Sequence, residues 1–177
     1  MGTSGVDLGT LSIGLLVARV VIGLIMAAHG AQKLFGWFGG YGLSKTGEFF
    51  VGLGFRPGKT FAAAASFTEI TSGLLVALGF LGPIGPALMI SVMIVAMLTV
   101  HRGHGLFATT GGHEVPLLYA TVALGLALTG YGQYSLDALL GIGRWTTTAT
   151  WIVLGAGVLG AFANLALRHK PDTPAGV

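Results

Sequence analysis

Apolar positions fall in five long runs, at about 8–34, 60–81, 84–100, 115–131 and 148–167, and the stretches between them carry most of the charge. Within each run the apolar positions are nearly uniform, not alternating. That excludes membrane barrel strands, which alternate over about ten residues, and open sheet edges have no place in lipid. At about 1.5 Å per residue each run is read as a helix crossing roughly 30 Å of hydrocarbon. The pattern predicts an all-α membrane protein. Between the first two runs, "GLSKTGEFFVGLGF" sets Phe49, Phe50, Leu53 and Phe55 among Lys45, Glu48 and glycines. Residues 36–58 are therefore expected to form a short amphipathic or re-entrant segment in the interface, with Trp37, Phe38 and Tyr41 as its aromatic belt.

Composition agrees. Of 177 residues, 53% are hydrophobic and 8% charged, and mean hydropathy is +0.83. A soluble domain carries about 25% charged residues, so the lipid bilayer is the first partner. The absence of cysteine excludes disulfides, thiol chemistry and cysteine-ligated iron–sulfur clusters on this chain. No Lys or Arg precedes the first run, so a cleaved signal peptide is not expected. Val6 departs from the myristoylation pattern that begins at Gly2.

The net charge of +3 has a topological explanation and does not point to nucleic acid. Five crossings put the 34–59 and 101–114 connections and the C-terminus on one side, with Lys33, Lys45, Arg56, Lys59, Arg102, Arg168 and Lys170. Only Arg144 lies on the other side, and Arg19 is inside a run. By the positive-inside rule the N-terminus is outside and the C-terminus cytoplasmic, as in a multi-pass protein of the cell membrane.

Two motifs invite other readings. "GAGVLG" at 155–160 matches G-x-G-x-x-G, but the second strand and acidic residue of a dinucleotide fold are not expected after it. Its small residues four apart, Ala156 with Gly160 and Gly157 with Ala161, instead predict a close helix contact. "HRGHGLFATTGGHE" at 101–114 gathers His101, His104, His113 and Glu114. It lacks H-E-x-x-H and lies where polar side chains are easily solvated. A bound metal or haem is not expected there, and a polar mouth for a partner or a proton is.

Ionisable residues within a span are costly and usually face an interior with a partner. Arg19 and Glu69 lie well inside the first and second runs, and the depth count predicts an ion pair between them. His29 and Lys33, four apart, share a helical face near the end of the first run, beside Gln32.

"ARVVIGLIMAAHGAQKLFGWFGGYG", "TEITSGLLVALGF" and "GYGQYSLDALLG" resemble the DoxX family of small bacterial membrane proteins over about 13–142. The pattern runs Arg19, Gly23, His29, Gly30, Lys33, then Glu69, Gly73, Leu75 and Gly79. The resemblance implies a four-helix membrane bundle over 8–142, with 143–177 an added transmembrane helix and short cytoplasmic tail. It also implies an association with quinone-linked oxidoreductases, the thiosulfate:quinone type among them. Taken together, His29 and Glu69 are expected as proton-handling catalytic residues, and Arg19, Lys33, Trp37, His101 and Glu114 as the binding wall of one polar cleft open to the cytoplasm. Its ligand is a quinone, and electrons come from an oxidoreductase partner. The alternative is a non-enzymatic scaffold, assembly factor or small transporter-like bundle, whose glycine-rich faces also suit a homo-oligomer.

Overall fold

The structure, a computed structural model, describes residues 7–169; Gly2, Val6 and Lys170 lie outside the described residues. Helices account for all the regular structure described: α1 (Leu8–Phe35), α2 (Gly42–Gly52), α3 (Gly58–Leu78), α4 (Ile84–Thr99), α5 (Glu114–Thr129), the single turn α6 (Leu136–Leu139) and α7 (Thr147–Ala166). The five apolar runs correspond to α1, α3, α4, α5 and α7. Of these, α1, α3 and α7 are long and apolar enough to cross a membrane. The helices α4 and α5 are apolar but shorter, at 16 residues each, a rise of about 24 Å.

Helix α1 starts where the Asp7 carboxylate accepts from the Gly9 and Thr10 amides at 3.0 and 3.2 Å, and it stops at Gly36, whose φ of 76° reverses the chain. Its main partner is α3, and small residues explain the choice. Lipid gives helices no hydrophobic reason to pair, so close backbone approach has to supply contact. A Cβ on Gly23 would lie 2.5 Å from the Gly73 carbonyl oxygen, and one on Gly30 the same distance from that of Ser66.

Helix α4 is central and packs against α3, α5 and α7. The predicted small-residue contact in "GAGVLG" is present through Gly157 and Ala161. A Cβ on Gly157 would meet the Ala87 carbonyl oxygen of α4 at 2.6 Å, and Ala161 is fully buried. Of the other predicted pair, Ala156 and Gly160 are both exposed, and Gly160 borders the cavity described below. Met26, Val76, Met89, Met93, Tyr119 and Leu126 form the apolar core between these helices.

The connection expected in the interface folds as one 3-10 turn at Trp37–Gly39 followed by α2, which packs on α3 and α1. At the same end, the C-terminal residues return to it: Arg168 donates from Nε to the Leu53 carbonyl, and the His169 amide donates to Gly54 at 2.9 Å. At the other end, both Asp137 carboxylate oxygens accept from the turn after α3, from the Leu81 amide at 2.9 Å and the Gly82 amide at 2.8 Å.

Candidate functional site

The glycine contacts fix the register of α1 against α3. Gly30 lies opposite Ser66 and Ile70, Gly23 opposite Gly73 and Ala77, and Arg19 against Gly79. Glu69 is therefore level with His29, and Arg19 sits about 15 Å further along the bundle. Side chains on a helix lean toward its N-terminus, and α1 and α3 are antiparallel. Lys33 and Glu69 consequently lean toward each other, while Arg19 and Glu69 lean apart.

The expected Arg19–Glu69 pair is not formed. Glu69 instead pairs with Lys33, whose Nζ contacts Oε1. Arg19, 2% exposed, donates to the carbonyls of Ala77 and Tyr134. Those are the unsatisfied carbonyls at the α3 C-terminus and in the facing loop, where the helix dipole favours a cation. Counting depth from the membrane boundary left out side-chain direction, and direction decides the partner.

The Lys33–Glu69 pair stands in the wall of a cavity of about 300 Å³. Phe49 and Phe50 of α2, Leu53 and Phe55 just after it, and Phe61 of α3 line it on one side. Ser91, Val92, Val95 and Thr99 of α4, with Gly160 and Asn164 of α7, line the other. The threonine hydroxyls on its wall turn away: Thr46 donates to Gly42 at 2.8 Å, Thr68 to Ala64 at 2.8 Å and Thr99 to Val95 at 2.7 Å, each within its own helix. Glu69 is 2% exposed, and its second oxygen, Oε2, is buried with no hydrogen-bond partner. An unpaired buried carboxylate oxygen is expensive, so Oε2 is an acceptor without a donor. Lys33, with its side chain 33% exposed, also borders an outer hollow shared with Gln32, Lys45 and Glu48. The pair thus stands between an apolar chamber and a polar surface.

Other expected residues lie elsewhere. His29 turns toward α5 and meets the Tyr119 ring edge-on, with centroids 6.0 Å apart. Trp37, 59% exposed, stacks on Phe35 at 4.9 Å outside the cavity. His101 and Glu114 brace their own loop: His101 Nδ1 is 2.6 Å from the Gly111 carbonyl oxygen, and Glu114 accepts from the Ala108 amide at 2.7 Å. That loop follows Thr99 and Val100, which do line the cavity. One cleft holding all seven residues is therefore not what the fold builds; it brings Lys33 and Glu69 together. Among the described residues no three His, Asp or Glu side chains converge as a metal site. Phe49, Ser91 and Asn164 were not anticipated at the site. Ser91 and Asn164 are polar positions in the middle and near the end of apolar runs, and that is the signal the sequence offers.

A bundle of apolar helices joined through glycine faces, with a charged pair buried beside an apolar chamber, defines a multi-pass α-helical membrane protein with an internal polar site. The chain belongs to the DoxX family, whose model matches residues 14–102, half of the sequence. The match holds Arg19, Lys33, Glu69 and the α1–α3 glycines. It stops before α5 and α7. Comparison with curated proteins and with solved structures finds no match.

Proposed function

We propose that the chain is the membrane subunit of a quinone-linked oxidoreductase system, binding quinone in the Lys33–Glu69 cavity and handling its protons. The observation that carries this reading is the Lys33–Glu69 pair, with one Glu69 oxygen left unpartnered, in the wall of an aromatic and aliphatic chamber. Ligand sites are mostly apolar with a few placed polar groups, and this volume is at the small end of their ~300–1,000 Å³ range. It suits a ring head group whose tail leaves into lipid.

The pair serves both redox states. The Lys33 ammonium donates to a quinone carbonyl, and Glu69 accepts from a quinol hydroxyl. Reduction of quinone to quinol takes two electrons and two protons. With no cysteine in the chain, the electrons are assigned to an oxidoreductase partner. Protons enter through the outer hollow at Lys33. By the positive-inside rule the basic connections favour the cytoplasmic side of a bacterial cell membrane for this mouth.

Binding of a para-benzoquinone with a decyl tail, measured on protein in lipid nanodiscs, tests the reading. Wild type should bind and Lys33→Met should weaken binding about tenfold or more, the scale of a lost hydrogen bond to a charged group. Gly160→Leu should abolish it while folding persists, because a Cβ there meets only the Ser91 hydroxyl, at 3.9 Å. A wild type that binds no quinone sinks the proposal and leaves the scaffold reading.

A further inference from the structure

Beyond the charged pair, the cavity has a second polar wall on the helix that lies outside the family match. Asn164 and Gly160, one turn apart on α7, line it opposite α1 and α3, with Ser91 of α4 beside them. The Gly160 backbone leaves room there: the Ser91 hydroxyl is the one neighbour within 4 Å of a Cβ built on it. The Thr68 and Thr99 hydroxyls are spent on carbonyls of their own helices. Neither the Asn164 amide nor the Ser91 hydroxyl has a hydrogen bond among the described residues. A polar side chain in an apolar helix usually finds a partner across the interface. Here the neighbouring space is the cavity itself.

We propose that Asn164, on the α7 wall, binds the oxygen of the ligand distal to Lys33 and Glu69, so that the site selects a ring with two opposed oxygens. The proposal rests on the quinone reading and narrows it to para-quinones. An amide suits that position because it carries donors for a carbonyl and an acceptor for a hydroxyl. It therefore follows the ligand through both redox states, as the Lys33–Glu69 pair does at the near end. The C-terminal residues hold the wall in place: Arg168 and His169, just after α7, bond to Leu53 and Gly54, and Leu53 itself lines the cavity. By this account α7 is part of the binding site, not an appendage to a four-helix bundle.

The experiment compares two probes on the full chain in nanodiscs: the decyl para-benzoquinone and a tail-matched cyclohexadienone that lacks one of the two carbonyls. Wild type should prefer the quinone by about fivefold to tenfold, the scale of one neutral hydrogen bond. Asn164→Ala should remove that preference while leaving cyclohexadienone affinity unchanged. Asn164→Leu, similar in size and apolar, should behave the same way, so that loss of packing is not mistaken for loss of the bond. Asn164→Gln should restore part of the preference. If wild type binds quinone and Lys33→Met weakens it, yet both Asn164 variants keep the two-carbonyl preference, the α7 assignment is wrong and the quinone reading stands. If wild type binds neither probe, both fall. If the variants weaken the two probes equally, Asn164 is structural and the proposal is overturned.

Discussion

Which residue Glu69 pairs with decides what the buried charges are for. Arg19 is held by the carbonyls at the end of α3, which makes it a structural clasp. Lys33 meets Glu69 at the cavity, which makes that pair available to a ligand. Double-mutant cycles separate the two roles. Lys33→Met should destabilise by about 3–5 kcal/mol, because Glu69 is left buried and unpaired, and Lys33→Met with Glu69→Gln should recover part of that loss. Arg19→Met with Glu69→Gln should be additive within about 0.5 kcal/mol, as for independent sites. Thermal unfolding in detergent reads both cycles. Strong coupling between Arg19 and Glu69 would revive the pairing that their depth in the sequence suggested. Both ionisable residues were conspicuous in the sequence because an apolar run makes any charge stand out. Their partners were not, because leaning direction and register exist only after α1 and α3 are docked.

At the scale of elements, α1 and α3 are joined by backbone contact at glycines, so these positions should tolerate no side chain. Gly23→Ala is expected to cost about 1–3 kcal/mol by overpacking, since its Cβ would reach the Gly73 carbonyl and the Ala77 amide. Gly14→Ala, where a Cβ meets nothing within 4 Å, should be neutral or stabilising. Equal losses at both positions, in folded yield or unfolding temperature, would contradict the packing described. The helices themselves were legible from the apolar runs to within a few residues. The small-residue motif in α7 was legible as a contact, although only the Gly157 and Ala161 face could be used once α4 chose its side. The loop at 101–114 was read as a polar mouth for the cleft. In the structure, His101, His113 and Glu114 bond to loop backbone, an outcome set by turn geometry that residue type alone does not reveal.

For the whole molecule, the basic connections and the opposite turns lie at the two ends of one bundle. Cysteines introduced at Ser44 and Gly143, both exposed, should label from opposite faces of sealed vesicles, with Ser44 on the cytoplasmic face. Ser135, in an opposite-end turn, is a poor reporter because it is buried and its hydroxyl donates to Gly132 at 2.7 Å. Labelling of both from one face would require another number of crossings. The cavity lies at the Ser44 end, bounded by α1 to α4 and by α7, and a second hollow of about 330 Å³ around Tyr131, Asp137 and Arg144 lies at the other. The central claim is that quinone occupies the first. Photolabelling with an azido-quinone, followed by mapping of the modified peptides, locates it directly. Label around Phe49 and Leu53, at the end of α2, and on α4 between Ser91 and Thr99, displaced by excess unlabelled quinone and lost in Gly160→Leu, is the result this account predicts. Displaceable label around Tyr131 and Arg144, or label spread over the outward faces of the helices and insensitive to competitor, would contradict it.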